Sequence, residues 1–194
     1  MRRLTPGYDS LRCSRFMTTA HKLRFAALLL VLGCTIGCDQ TTKHVARATL
    51  KQVGSITVFH GFGELRLAEN PGAFLSLGIA LPASVRRVVF TLGTGAGLVG
   101  LFGYLAGRTR MGGTAFAGLA LVMAGGMSNC IDRIVRGGLV TDFITLRFGP
   151  LHTGIFNVAD LVVMVGVGLL AFAFWKRERS IAGRPPTAGR RSGP

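Results

Sequence analysis

Four apolar stretches, set apart by polar segments, decide most of what this chain can become. Val88 to Gly107, Thr114 to Ile131 and Val158 to Trp175 are each long enough, or nearly so, to cross the roughly 30 Å hydrocarbon core of a bilayer as a helix. A fourth run, Phe25 to Cys38, is shorter. It predicts a span only if the helix continues past Asp39 and Lys43 with those charges turned toward other helices, because intramembrane charge avoids lipid. In a chain of 194 residues that is 49% apolar and only 16% charged, these runs exclude an ordinary soluble domain. The expected fold is an all-α membrane protein, a four-helix transmembrane bundle.

The net charge of +15 raises the question of a nucleic-acid partner, but the placement of the basic residues answers it. Six of the 23 Lys and Arg lie in residues 1–24, two at Arg108 and Arg110, and six from Lys176 onward. In a four-span chain those segments share one side, which the positive-inside rule makes cytoplasmic. Residues 39–87 and 132–157 fall on the outer side with nine basic residues in more sequence. Arg86 and Arg87, at the outer start of the second span, run against this bias. Both termini are therefore expected on the cytoplasmic side of a membrane, and no nucleic-acid partner is expected.

The domain organisation follows: a basic cytoplasmic tail over 1–23, a four-span unit over 24–176 and a disordered basic tail over 177–194. An outer-face loop over about 46–84 is far longer than a helix-to-helix turn needs, and long loops tend to be functional. Within it, Ser55 to His60 and Glu64 to Ala68 alternate or are β-branched around Gly61-Phe62-Gly63, which predicts a β-hairpin. Phe143 to Phe148 alternates as well, so a small sheet on the outer face is expected. Cys13, Cys34, Cys38 and Cys130 form no CxxC and set no disulfide framework; Cys34 and Cys38, one turn apart in an apolar run, read as buried small hydrophobes. His21, His44, His60 and His152 are scattered without HExxH, so neither a metal site nor a cofactor is expected.

The topology gathers Asp39, Lys43, Asn70, Asn129, Asp132, Arg133, Asp142, Asn157 and Asp160 at one membrane surface, together with six of the eight acidic residues. Polar side chains at one end of an apolar bundle are costly unless they pair or work. Asp142 follows the third span and Asp160 opens the fourth. Two carboxylates brought together do not both ionise easily; the charged one can draw a proton from water while the neutral one polarises a carbonyl. The plainer reading makes Asp160 an acid favoured by a helix N-terminus and Asp142 an ordinary loop acid. Plainer readings exist for the others too. Asp39 and Lys43 at i and i+4 support a helix, Asn70-Pro71-Gly72 is a turn signal, and the Gly and Ala residues around Gly125 suit close helix packing. Asn129 and Arg133, one turn apart near a membrane boundary, need partners in either case.

Five segments taken in order, Asp39-Gln40-Thr41-Thr42-Lys43, Asn70-Pro71-Gly72-Ala73, Gly125 to Arg133, Val140-Thr141-Asp142-Phe143 and Phe156-Asn157-Val158-Ala159-Asp160, resemble the motif set of the lipoprotein signal peptidases, the signal peptidase II family of aspartyl peptidases. The resemblance runs from about residue 24 to 176. It implies four transmembrane helices with a small outer-face β-cradle, and cleavage of bacterial prolipoproteins just before a diacylglyceryl-modified cysteine. It further implies that Asp142 and Asp160 are the catalytic dyad, that Asn70, Gly125, Asn129, Arg133, Asn157 and Ala159 line the substrate groove, and that Asp39, Lys43 and Asp132 support them. Expected partners are diacylglyceryl-prolipoprotein substrates and membrane lipid, with the enzyme acting as a monomer. Two departures stand out: Phe74-Leu75 where the family has Ala-Phe, and Ser128 where it has Gly.

Three competing readings use other features. Val31-Leu32-Gly33-Cys34 resembles a lipobox, which would make the chain itself a lipoprotein, although three later spans oppose an exported product. Buried acids also suit a small transporter, without the broken paired spans such proteins show. A Ser–Lys peptidase would use Lys43 with Ser76 or Ser128.

Overall fold

A computed structural model of the chain describes residues 19–72, 81–108 and 111–182. Most of both expected tails, Cys13, Arg110, Phe74-Leu75 and Ser76 lie outside the described residues.

Among the described residues, four helices are long and apolar enough to cross a membrane: α1 Thr19–Val53, α2 Ala83–Gly107, α3 Gly113–Val135 and α4 beginning at Val158. The first is the largest departure from expectation, because the short run Phe25 to Cys38 sits inside a helix of 35 residues, about 52 Å at 1.5 Å per residue. Its buried positions explain the extension. Leu28, Leu32, Asp39, Lys43, Ala46 and Leu50 recur at helical spacing and form one stripe, so the two charges occupy the packed face. The outer-face connection, expected from about residue 46, accordingly begins at Gly54. At the other end of the chain α4 runs to Ala182, where a disordered tail was expected from 177, and the Arg179 guanidinium lies over the Trp175 ring at 4.0 Å.

Helix α3 is the central one. Gly118, Gly125 and Ala124 are among its buried residues, and it packs most extensively on α4. The seam is made of small residues that let the backbones meet: a Cβ on Gly125 would stand 2.5 Å from Ala159 O, and one on Gly166 would stand 2.7 Å from Gly118 O. Toward α1 and α2, Met123, Ala120 and Ala124 join Leu28, Leu32 and Leu105 in the main apolar core. The outward faces carry Leu30, Val99, Phe102, Met164, Phe172 and Phe174, exposed in the isolated chain as lipid-facing side chains would be. Cys34 and Cys38 lie on this outward face of α1 and are not buried; of the described cysteines, Cys130 alone is. The lipobox-like Cys34 is mid-helix, with α1 continuing unbroken to Val53.

One antiparallel sheet caps one end of the bundle, in the order β1 Ser55–Val58, β2 Gly63–Asn70, β3 Val140–Phe148 and β4 Leu151–His152. The expected hairpin is β1–β2, with Ser55 opposite Arg66 and Val58 opposite Gly63. Its turn holds Phe59 and His60 at φ of 53° and 54°, a region L-residues seldom adopt. Strand β3 starts earlier than its alternation suggested, so Asp142 is a strand residue paired with Ala68. The short β4 had no sequence signal of its own. Beneath the sheet a second core joins Ala46 and Leu50 of α1 to Phe143, with Ile56, Leu65 and Val158 packed against it. The extension of α1 is thus the platform on which the sheet rests.

The seam makes a simple prediction. Gly166→Ala should lower stability by about 1–3 kcal/mol through overpacking, while Gly168→Ala, where a Cβ meets nothing within 4 Å, should stay within about 0.5 kcal/mol. Equilibrium unfolding in mixed detergent micelles measures both.

Candidate active site

Strand β3 and the start of α4 are held together by the backbone of Phe156, whose carbonyl accepts the N–H groups of Phe143 at 3.0 Å and Ile144 at 2.9 Å. That bridge places Asn157 beside Asp142. Asn157 then caps α4: its Oδ1 accepts the Asp160 N–H at 2.9 Å, and Asp160 Oδ2 accepts the Asn157 N–H at 3.2 Å. This reciprocal pair is a capping box with Asp in the third helical position. Asp160 is therefore a helix-terminus acid, as the plainer reading held, but only one of its oxygens is used that way.

The other oxygens of the two carboxylates meet side-chain amides. Asn157 Nδ2 donates to Asp142 Oδ1 at 2.6 Å, Asn70 Nδ2 to Asp142 Oδ2 at 2.9 Å, and Asn129 Nδ2 to Asp160 Oδ1 at 2.8 Å. Asn157 touches both aspartates and so joins them. The orientation of each amide is settled by what its oxygen accepts. Asn70 Oδ1 takes the Gly72 N–H at 2.9 Å, an Asx turn that follows from Asn70-Pro71-Gly72. Asn157 Oδ1 is held by the helix cap. Asn129 Oδ1 accepts from Lys43 Nζ at 2.9 Å, and an ammonium can only donate. All three amides must then present N–H to the carboxylates.

Lys43 and Asp39 are fully buried. The ammonium lies 2.7 Å from Asp39 Oδ2 and 3.1 Å from Asp132 Oδ2; with Asn129 these use its three protons. Asp39 Oδ1 accepts the Ala159 N–H at 2.8 Å, satisfying a free donor of the first turn of α4. Asp132 Oδ2 accepts the Thr141 N–H at 3.0 Å, fixing the start of β3. Ser128 Oγ donates to Asp39 Oδ2 at 2.7 Å, and Gln40 Nε2 reaches Ser128 Oγ at 3.0 Å and Asp132 Oδ1 at 3.2 Å. The Ser128 departure thus adds a hydrogen bond to the ionic cluster. With the protons of Lys43 committed and Ser128 buried against Asp39, a Ser128–Lys43 nucleophile pair has no geometry to support it.

Of the residues singled out in the sequence, Asp142, Asp160, Asn70, Asn129 and Asn157 come together directly, with Asp39, Lys43 and Asp132 behind them. Arg133 is buried alongside, donating to Gly72 O at 3.1 Å, while its Nε has no partner among the described residues. Gly125 and Ala159 sit instead at the α3–α4 contact, facing each other. Sequence reasoning missed Gln40, Thr141 and Arg47, which donates to Thr141 Oγ1 at 2.9 Å. The signal for Gln40 and Thr141 was their position inside the quoted segments.

Burial pushes the Asp142 carboxyl up to about 6 from 3.8, the nearby Asp160 charge adding to the rise and the amides of Asn70 and Asn157 and the Lys43 charge opposing it. Such a group can hold or release a proton near neutrality, which general acid–base chemistry requires.

Fold and site together define a polytopic membrane protein with a paired-carboxylate centre at the sheet end of its bundle. The family model described as Signal peptidase (SPase) II matches residues 20–176. A lipoprotein signal peptidase of Syntrophotalea carbinolica is 32% identical over 79% of this chain and 93% of its own, and one of Azoarcus sp. is 35% identical over 77% and 84%. Two solved structures, both described as bacterial membrane enzymes studied by the in meso method, superpose with TM-scores of 0.70 and 0.66 at 25% and 27% identity. They cover 82% and 77% of this chain and 94% and 92% of theirs. The chain belongs to the signal peptidase II family.

Two outcomes follow from the geometry. Lys43→Met strands buried Asp39 without its cation and leaves Asp132 only the more distant Arg136 at 3.9 Å, and should cost about 3–5 kcal/mol of stability, read from unfolding in detergent. Asp142 binds its proton more tightly folded than unfolded, so its contribution to stability is fully present below pH 3.8 and is lost as pH rises to about 6. Between those pH values the unfolding free energy of wild type should fall more than that of Asp142→Asn, the difference amounting to no more than about 3 kcal/mol; parallel profiles of stability against pH would contradict it.

Proposed function

We propose that this family member is an aspartyl endopeptidase that removes signal peptides from bacterial prolipoproteins, cutting just before a diacylglyceryl-modified cysteine, with Asp142 and Asp160 as its catalytic pair. The observation that carries the reading is the asparagine bridge: one side chain, Asn157, holds both carboxylates at one end of a four-span bundle, and every carboxylate oxygen already accepts a hydrogen bond.

In this mechanism one aspartate is ionised and takes a proton from water as the water oxygen attacks the scissile carbonyl carbon. The neutral aspartate hydrogen-bonds the carbonyl oxygen and gives it a proton as the tetrahedral intermediate forms. On collapse the C–N bond breaks as the aspartate that took the water's proton gives it to the departing amine, while one hydroxyl of the intermediate re-forms the C=O bond and returns its proton to the other aspartate. The fixed amides hold both carboxylates in place throughout, so little reorganisation is required at the moment of reaction. The unpartnered Nε of buried Arg133 is a donor suited to a substrate oxygen, and Asn70, Asn129 and Asn157 position the reacting groups.

The charge bias supports an orientation with both ends of the chain in the cytoplasm and the sheet end at the outer face of the inner membrane. A diacylglyceryl group would hold the scissile bond at that depth, each buried CH₂ adding roughly 0.8 kcal/mol of anchoring. Incubation of the purified protein with a diacylglyceryl-prolipoprotein should yield the shortened product. Asp142→Asn and Asp160→Asn should each remain folded and lose at least about 100-fold in rate. Turnover near wild type in either variant would remove the assignment, and equal cleavage of an unlipidated precursor would remove the role of the lipid.

A further inference from the structure

Behind the paired carboxylates, an arginine outside the ionic cluster reaches the strand that carries Asp142. Arg47 stands one turn beyond Lys43 on α1 and forms no ion pair among the described residues. Asp132, Glu69 and Asp39 lie in its electrostatic surroundings together with Arg136, yet its Nη1 donates to a neutral oxygen, Thr141 Oγ1, at 2.9 Å. Thr141 is wholly buried and immediately precedes Asp142. Its N–H goes to Asp132 Oδ2 at 3.0 Å, and its carbonyl lies 3.4 Å from Asn157 Nδ2. The residue is thus held from α3 through its backbone N–H and from α1 through its hydroxyl. The chain leading into it is pliable, because Gly137 and Gly138 have φ of 65° and 101°. The pairing of β2 with β3 is also interrupted by a bulge between Leu65 and Ala68.

The consequence falls on Asn157. Its Nδ2 carries two protons and has three oxygens within reach: Asp142 Oδ1 at 2.6 Å, Asn129 Oδ1 at 3.1 Å and Thr141 O at 3.4 Å. The Thr141 carbonyl is the most distant of these, so the protons go to Asp142 and Asn129. Thr141 O and the Asp142 N–H belong to one planar peptide unit. A small turn of Thr141 toward Asn157 would bring a competing acceptor to the proton that Asp142 uses. The Arg47 hydrogen bond, charge-assisted and anchored on the helix beneath the sheet, opposes that turn. We propose that Arg47 is a positioning residue for the cleavage reaction, holding Thr141 so that the Asn157 amide stays committed to the Asp142 carboxylate. This role rests on the reading of Asp142 and Asp160 as the catalytic pair.

The test pairs cleavage with a measurement that needs none. With the purified full chain and a diacylglyceryl-prolipoprotein, Arg47→Met and Thr141→Val should each lower kcat between about 10- and 100-fold and leave KM within about twofold. The double variant should be no slower than the slower single one, because both changes break one contact. The charged groups that face Asp142 are Asp160 of α4, Lys43 of α1 and Arg133 of α3, and all stay in place in these variants. Weakening the Asn157 hydrogen bond, which favours the ionised carboxylate, should therefore move the Asp142 titration upward from about 6. Infrared titration of the carboxyl band that is missing in Asp142→Asn reads this directly, and the pH profile of kcat/KM should move the same way. A purely structural defect would lower activity equally at every pH. Wild-type kcat in a folded Arg47→Met, an unmoved Asp142 titration, or losses that multiply in the double variant would each overturn the role of Arg47. If Arg47→Met does not fold, Thr141→Val, which removes the acceptor and keeps the arginine, must show the loss and the shift by itself or the proposal falls. Absence of cleavage by wild type would overturn the proposed activity itself, whereas failure of the Arg47 role alone shows as unaltered variants of an active enzyme.

Discussion

An ammonium group removed wholly from solvent is the constraint around which the rest of this structure is arranged. Lys43 is buried at 0% exposure, and isolated charge of that kind is costly in a low-dielectric interior. Its three protons find Asp39, Asp132 and Asn129, and each acceptor leads to a different part of the fold. Asp39 continues to the backbone of Ala159 at the start of α4, Asp132 to the backbone of Thr141 at the start of β3, and Asn129 to Asp160. A single cation thereby ties α1 and α3 to the two segments that carry the paired aspartates. Two acids face this one ammonium; Arg136, 3.9 Å from Asp132, supplies a second cation, and Gln40, Ser128 and two backbone N–H groups satisfy the remaining carboxylate lone pairs.

The same cation imposes a direction on the hydrogen bonds. Because the lysine only donates, Asn129 turns its oxygen inward and its N–H toward Asp160. The Asx turn does this for Asn70, and the helix cap does it for Asn157. Three unrelated local devices thus converge on one polarity, with amide N–H groups aimed at carboxylate oxygens. This arrangement separates the paired site from a generic cluster of buried acids, in which amides could turn either way. It also gives the plain turn and capping readings of these residues a share in the site: the turn and the cap consume the amide oxygens, and the leftover N–H groups hold the carboxylates.

How much of this was legible in the sequence depended on which residues carry their signal locally. The spans were readable from apolar length, and the hairpin from alternation around Gly61-Phe62-Gly63. The full reach of α1 was less so, because Ala46 and Leu50 gain their partners only from the underside of the sheet. Cys34 and Cys38 show a further limit: a membrane helix is apolar all round, so its pattern does not tell a packed face from a lipid-facing one. The paired aspartates and the three asparagines around them were named through motif order. The bridging position of Asn157, however, depends on the pairing of Phe156 with β3, which no local pattern announces. Gly125 and Ala159 were ambiguous for the opposite reason: a small residue serves a close helix contact and a ligand groove equally well, and here the two face each other across the contact.

The order of the strands also places the site in time. Strand β2 ends at Asn70 and pairs with β3, which begins at Val140, so the sheet closes across the whole of α2 and α3. A chain made from its N-terminus has α1 and the first hairpin early, yet Asp142 finds its Asn70 partner only after two more helices have been threaded through the bilayer. Asp160 and its cap arrive later still, with the fourth helix. An unfinished chain therefore holds isolated amides and an ion pair, but no coupled carboxylates. The paired-carboxylate centre comes into being with the insertion of the fourth helix, as a property of the assembled bundle and sheet and of no shorter part of them.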